Sequence, residues 1–413
     1  MSSDALECEV LIVGGGLVGS TLAHALAQVS IRTVLVEERD PARLEQPSFD
    51  DRATALANGS QRILQGLGLW RELAAAAEPI KSIHISELGH FGASRILAEE
   101  EGVAALGYTV ENRTLGEVIW SRLREADALV CETPARLNTL TMCERDVGAE
   151  IEIGGDRREI RAKLVVAADG ARSQVRGALG IGAREDAYEQ KAVIVNCETE
   201  IAHAGRAFER FTPSGPLAFL PLRQSRVAVV WTLDPEEAER MIGLEDGAFR
   251  RDLQRAFGYR LGRIQRAGSR VAYPLTRVRS IAVTANRAVL VGNAAVSLHP
   301  VAGQGFNLAL RDIAALAEML SEAHRAGAGA DLGGAKVLGG YEAWRVSDQR
   351  RVAAFTHGLV RLFGYDTAPL AVTRGLGLMV FDLLPGAKGR LARQTMGLTG
   401  RVSRLARGLP LLP

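Results

Sequence analysis

Cysteine is scarce in this 413-residue chain: four in all, Cys8, Cys131, Cys143 and Cys197, none in the close pairs of a zinc site or redox motif. They read as reduced thiols in a cytosolic protein, not as a disulfide framework. No uninterrupted apolar run approaches the roughly 18 residues of a spanning helix. The most apolar late stretch, 355–384, is broken by Arg361, Asp366, Arg374 and Asp382. Met1-Ser2-Ser3-Asp4 leads towards the first apolar run with no basic segment and no cleavage site, so a secretory signal is not expected. An excess of one charge is missing as well. Lys+Arg 50 against Asp+Glu 48 leaves +2, which is not the balance of a nucleic-acid binder. There is no G-x-S-x-G elbow and no P-loop lysine, so acyl and phosphoryl transfer have no support. His24, His84, His90, His203, His324 and His357 show no metal-ligand spacing.

What remains is an ordinary globular composition, 47% hydrophobic and 24% charged, long enough for two or three domains. Glu9–Val13 is a short apolar run rich in β-branched residues and predicts a buried strand. Gly14-Gly15-Gly16-Leu17-Val18-Gly19 follows at once. A helix is expected over 17–30 and a second strand over 33–36, ending at Glu37, 18 positions beyond Gly19. Each position has a physical reason. Gly14 allows the tight turn, Gly16 lets backbone approach a pyrophosphate, and Gly19 lets the helix pack closely on the strand. The helix N-terminus faces phosphate with free N–H groups. Glu37 can accept hydrogen bonds from a ribose diol. Nucleotide binding follows; the choice between NAD and FAD does not.

Farther along, 163–168 reads as a strand buried on both faces. The region 190–280 changes character, with strands expected over 192–198, 218–222 and 227–233: an antiparallel sheet inserted into an α/β framework. The framework resumes at 288–292, and a helix is expected from about 306 to 320. The Gly/Ala-rich stretch 326–340 reads as a loop, followed by helix.

Two further motifs decide the cofactor. One is Asp169-Gly170-Ala171-Arg172-Ser173-Gln174-Val175-Arg176. The other is Gly292-Asn293-Ala294-Ala295 with His299-Pro300-Val301-Ala302-Gly303-Gln304-Gly305-Phe306-Asn307. With the N-terminal glycines, they resemble the three fingerprints of the single-component flavoprotein aromatic hydroxylases. D-G-x-x-S-x-x-R matches at every fixed position. The second run is similar to the subgroup that hydroxylates ubiquinone precursors, nearest the 2-polyprenyl-6-methoxyphenol hydroxylase type. The resemblance runs from about residue 9 to the C-terminus.

It implies a Rossmann-like FAD-binding domain (1–80, 99–183 and 281–340), an inserted antiparallel-sheet substrate domain (81–98 and 184–280) and a helical C-terminal segment (341–413). It also implies FAD as cofactor, with NADPH or NADH as transient reductant. The resemblance implies further that oxygen would add to reduced flavin as a C4a-hydroperoxide, whose distal oxygen would pass to a ring carbon of a polyprenylated phenol. Arg52 and Arg113 match the family's flavin-side arginines. Asp169, Gly292 and Asn293 fall on the cofactor side, Asn293 standing where the family usually has Asp. Gly303, Gln304, Gly305 and Asn307 open a helix whose positive end faces the flavin edge. Pro300 matches a residue whose backbone lies beside the substrate ring. His299 reads either as a base for a phenol or as a structural residue. The segment 208–222 is expected to cover the flavin and line the ring pocket, with Phe211 and Phe219 as ring contacts. Rival readings are a flavin monooxygenase of another lipid and a non-catalytic prenyl-binding protein.

Beyond Asp382 come Lys388, Arg390, Arg393, Arg401, Arg404 and Arg407 and no acid. Leu398, Val402, Leu405 and Leu409 recur at helical spacing. Such a tail can lie on an anionic membrane surface, dock on a biosynthetic complex, or pack on its own domain. The expected location is cytoplasmic, at the inner face of the membrane.

Overall fold

The computed structural model describes residues 5–41, 52–299, 303–327, 330–364 and 385–411. Its centre is made by four apolar runs. Val10–Val13, Thr33–Val36, Leu164–Ala167 and Ala288–Leu290 are strands with every residue buried. They lie side by side in the order 288–290, 164–167, 10–13, 33–36, all parallel. Leu129–Glu132 extends this sheet at one edge, and Thr284–Ala285 closes the other antiparallel. Such strands show no polar alternation because both faces are covered. Helices Leu17–Ala27, Asn112–Leu123 and Gln304–Arg325 pack over the sheet, and apolar residues of a four-stranded sheet join the same core.

The expected inserted sheet is larger than its predicted strands. Ala183–Thr199, Arg206–Thr212, Gly215–Pro221, Arg226–Leu233 and Val271–Ser280 form most of a nine-stranded sheet. Its neighbours pair antiparallel except at one seam. There Arg206–Thr212 runs parallel to Ser82–Glu87, which brings in the hairpin completed by Ala93–Leu97.

Register sorts the side chains of this sheet onto two faces. Phe208 stands opposite Phe219, which stands opposite Val229, which stands opposite Val195. That row is buried under helices Pro235–Gly243 and Asp246–Phe257 in a second core. Glu209 and Phe211, one residue out of step with Phe208 and Arg210, belong to the other face, with Ile83 and Ile85. Two contacts tie that face to the nucleotide-side elements. The Arg52 guanidinium sits 4.6 Å from the centre of the Tyr273 ring. Arg226 Nη1 donates to Glu111 Oε1 at 3.1 Å.

Two expectations are corrected. The stretch 326–340 is not all loop, because a helix begins at Ala335 and runs to Gly364. Leu338 and Tyr341 are buried there, and burial overrides the poor helix propensity of Gly339 and Gly340. Gly340 faces the neighbouring helix closely: a Cβ would sit 2.4 Å from Met319 Cε, the movable end of a flexible side chain. The apolar spacing 398–409 forms no continuous helix. A helix spans Pro385–Thr395, Gly397 turns the chain with φ +73°, and only Leu405–Arg407 coils again, as a 3₁₀ turn. Leu405 is fully buried in the main core, while Leu409 is 42% exposed. Trp344 Nε1 donates to Arg401 O, and the Arg404 backbone N–H donates to Glu318 Oε2. These contacts seat the tail on its own fold. Among the described residues no helix is long and apolar enough to cross a membrane.

Candidate functional site

The sequence motifs meet at one edge. Gly14, Glu37, Asp169 and Gly292 each fall one or two residues past the end of one of the four parallel strands. With strands about 4.8 Å apart, the four ends form a row about 15 Å long, at the carboxyl edge where α/β sheets take ligands.

Glycine is enforced along this row by close approach. A Cβ on Gly19 would lie 1.8 Å from Gly14 O, and one on Gly14, at φ +101°, would lie 2.5 Å from Ala168 O. Gly16 is the N-cap of the Leu17–Ala27 helix, with no side chain capping it. Glu37 is buried, and its Oε2 and Oε1 accept from the backbone N–H groups of Gly15 and Arg39 at 2.5 and 2.9 Å. Trp120, unforeseen from the sequence, donates Nε1 to Gly15 O at 3.2 Å and walls the turn. Only its position on the Asn112–Leu123 helix places it there. Arg113, second residue of that helix, is exposed.

The second motif is a small machine of hydrogen bonds. Asp169 Oδ2 accepts from Val175 N at 3.1 Å, and Ser173 Oγ caps the Gln174–Ala178 helix by accepting from Arg176 N. Arg176 reaches back to Ala171 O at 2.9 Å and across to Ala294 O at 3.0 Å. It therefore staples the second motif to the third, a role its fixed place in D-G-x-x-S-x-x-R could have signalled. Asp169 Oδ1 is buried and has no partner. A buried carboxylate oxygen is costly to leave unpaired, so this one is set to accept from a ligand.

At the third motif, Gly292 is buried with φ +59° and Asn293 is exposed. Gly303 caps the Gln304–Arg325 helix in the left-handed region, again without a side-chain cap. Gln304 is buried, its Nε2 3.5 Å from Thr395 O. A Cβ on Gly305 would meet nothing within 4 Å, so packing alone does not demand glycine there. Asn307 works as a latch: Nδ2 donates to Ala55 O and Gly303 O, and Oδ1 accepts from Ala57 N. Both its amide hydrogens are used inside the protein.

The ring-side expectations divide. His299 is 2% exposed, lies edge-on to the Tyr188 ring at 5.1 Å, and burial pushes its imidazole down to about 4. It is neutral at pH 7 and a weak base, which favours the structural reading. Pro300 lies outside the described residues. Tyr188 reaches His299 because the pairing of 183–199 with 271–280 slips between Ala187 and Lys191. A bulge of this kind re-aims a side chain. The Tyr188 hydroxyl also lies 3.4 Å from His357 Nδ1.

Phe219 is not placed to line a ring pocket. It is fully buried in the second core, stacked on Phe257 with ring centres 3.7 Å apart. Alternation along the strand sends it behind the sheet. Phe211 has the opposite facing, and so has Glu209, which the sequence reading passed over. Glu209 Oε1 is buried without a partner, and desolvation pushes the carboxyl up to about 7. An acid alternating inward between Phe208 and Phe211 was the available signal.

Against known proteins, a model described as FAD binding domain matches residues 7–349. Ubiquinone hydroxylase UbiL of Rhodospirillum rubrum is 40% identical, over 98% of this chain and 93% of that one. The 3-demethoxyubiquinol 3-hydroxylase of Escherichia coli is 32% identical, over 94% of this chain and 98% of that one. Among solved structures, p-nitrophenol 4-monooxygenase PnpA from Pseudomonas putida shares the fold with a TM-score of 0.79 at 20% identity, covering 96% of this chain and 99% of that one. With the glycine turns, the stapled second motif and this match over most of its length, the chain belongs to the FAD-binding monooxygenase family of ubiquinone-biosynthesis hydroxylases.

Proposed function

We propose that the chain hydroxylates the ring of a polyprenylated phenol in ubiquinone biosynthesis, and that the ring is 2-polyprenyl-6-methoxyphenol. The observation that carries the reading is a facing pair of surfaces. The carboxyl edge of the parallel sheet holds the three motifs, and one face of the nine-stranded sheet turns towards the same elements with Glu209 and Phe211 on it.

The residues present fit FAD. The uncapped N-termini at Gly16 and Gly303 suit phosphate and the flavin edge, Glu37 suits a ribose diol, and the orphaned Asp169 Oδ1 is an acceptor awaiting a donor. Gly14, Gly292, Asn293, Gln304 and Gly305 complete the lining, and Arg52 and Arg113 supply charge; Asn307 acts behind them by fixing 53–57 to the helix start. When bound and reduced by NADPH or NADH, FAD supplies the activation of molecular oxygen. The protein's part is to hold the ring and its proton. Glu209, ionised above about pH 7, accepts the hydrogen bond of the phenol hydroxyl. That draws charge into the ring and enriches the carbon that is to be oxidised. Phe211 packs the ring, and neutral His299 with Tyr188 closes the far side against water. The exposed Arg390, Arg393 and Arg407 of the tail suit an anionic membrane surface, where a prenylated substrate resides.

Mass spectrometry of quinone lipids from cells lacking the gene tests this. Accumulated 2-polyprenyl-6-methoxyphenol is expected. Accumulated 2-polyprenylphenol would move the hydroxylation to another ring position. A normal ubiquinone pool, in a cell with no second hydroxylase, would contradict the pathway.

A further inference from the structure

A second pocket lies away from the motif row, between helices Gln304–Arg325 and Ala335–Gly364 and the turns of the tail. Its volume is about 490 Å³. Its position along the first helix is set by Arg311, two turns past Gln304 and so about 10 Å on. Four arginines line it, Arg311, Arg345, Arg351 and Arg401, and among its lining residues Asp348 is the one carboxylate. Asp348 is already shared: Arg311 Nη1 donates to it at 2.9 Å and Arg345 Nη2 at 2.8 Å, while Arg351 Nη2 lies 3.6 Å away. Arg345 is balanced by Asp312 beneath, through Nε at 2.6 Å. Four guanidinium groups thus face two carboxylates.

Arg311 shows where the deficit falls. Its side chain is 9% exposed, and its Nε and Nη1 are spent on Asn307 O and Asp348. Its Nη2 is buried and has no partner. The turns above lie over two of these arginines. Gly397 (φ +73°) passes over Arg311, where a Cβ would lie 3.5 Å from Cδ, and Gly400 (φ +83°) passes over Arg351, where a Cβ would lie 3.3 Å from Nη2. Arg401 lies flat on the Trp344 ring, 3.7 Å from its centre, so its charge is held at the rim. We propose that this pocket is a binding site for a phosphate group, in which the buried Arg311 is completed by a phosphate oxygen and Arg351 and Arg401 close on the others. Arginine forks match phosphate geometry. The phosphate comes either from a lipid headgroup or from free phosphate, and an occupied site would lock the tail turns onto the two helices. The inference is independent of the ring chemistry, because none of these side chains belongs to the motif row or to the sheet face opposite it.

The test uses the FAD-loaded full-length protein and the variant carrying both Arg351→Gln and Arg401→Gln, two exposed positions whose loss spares the buried pairs. Inorganic phosphate is titrated at constant ionic strength against chloride, with melting temperature and ³¹P line broadening as readouts. Sedimentation with phosphatidylglycerol vesicles, and with phosphatidylcholine vesicles as reference, forms the second arm. Saturable phosphate binding with a rise in Tm, weakened at least tenfold in the double variant while hydroxylase turnover is kept, supports the site with free phosphate as ligand. Binding confined to phosphatidylglycerol vesicles, and weakened equally by the variant, supports it with a headgroup as ligand. No saturable binding in either arm, or binding that the double variant leaves unchanged, overturns it. Tryptophan emission gives a check on place: the phosphate-dependent change must vanish in Trp344→Phe, and its survival there would also overturn the assignment.

Discussion

Along the carboxyl edge of the parallel sheet, the surface offered to a ligand is mostly backbone. Gly16 and Gly303 start helices that no side chain caps, Gly305 leaves open space, and among the described residues Asp169 Oδ1 is a buried side-chain atom there without a partner. On the nine-stranded sheet the surface is side chain, chosen residue by residue through alternation, with Glu209 Oε1 and Thr232 Oγ1 among its unpaired atoms. A backbone surface recognises what all members of a family share, a dinucleotide. A side-chain surface can change with one substitution and so, on the proposed reading, is where ring and position are selected.

The largest effect that separates the two regions is expected at Gly19. Gly19→Ala puts a methyl group 1.8 Å from Gly14 O. It should cost about 4 kcal/mol or more and yield little folded, yellow protein, as read by calorimetry and flavin absorbance. Gly305→Ala is the contrast, since nothing stands within 4 Å. Its stability should stay within about 1 kcal/mol of the parent, while FAD affinity falls at least tenfold in a fluorescence titration. Equal FAD affinity would remove Gly305 from the cofactor surface.

Paired charge offers the next contrast. Arg345 is 3% exposed and holds Asp312 and Asp348. Arg345→Met strands a buried carboxylate, so a loss of about 3–5 kcal/mol is expected in urea unfolding. FAD binding by the protein that remains folded should be unchanged.

Glu209→Gln should act in the opposite sense on stability. The folded carboxyl titrates at about 7 against 4.5 for an ordinary one. Its contribution to folding is therefore complete below about pH 4.5 and is lost as pH rises through 7. At pH 8 the glutamine variant should be more stable than the parent, with the gap closing by pH 5. Catalysis should move the other way. In the parent, kcat/KM falls as pH drops through about 7; in the variant that limb disappears and the plateau is about 10²-fold lower. A retained acid limb would free Glu209 of the phenol proton.

The smallest effects should separate the two phenylalanines. Phe219→Leu is expected to cost about 1–3 kcal/mol with ring KM and coupling unaltered. Phe211→Leu should raise the share of oxygen released as peroxide. If both variants uncouple alike, the two faces are not functionally distinct.

The same contrast explains what could be read from the sequence. The four central strands were legible because their runs are apolar throughout, and the glycines because steric necessity leaves no other residue. Arg176 was visible as a motif position, though its bridge to Ala294 was not. The sheet's facing was hidden, because Phe211 and Phe219 look alike until register sets them on opposite faces, Phe219 stacked on Phe257. Glu209 shares its alternation with Phe211, but only its burial without a partner marks it out. The helix start at Ala335 depends on the burial of Leu338 and Tyr341, which no local propensity encodes. The tail's spacing suggested a helix; Gly397, Gly400 and Gly408, all at positive φ, break it into turns.

The most direct test of the central claim is oxygen transfer by the purified, FAD-loaded protein under ¹⁸O₂, with NADPH and a short-chain 2-prenyl-6-methoxyphenol. A ring product carrying one ¹⁸O, at a rate that Glu209→Gln lowers and Phe219→Leu leaves alone, is the predicted result. Reduced nicotinamide consumed with all the oxygen recovered as peroxide, for this phenol and for its relatives lacking the methoxy group, would contradict it.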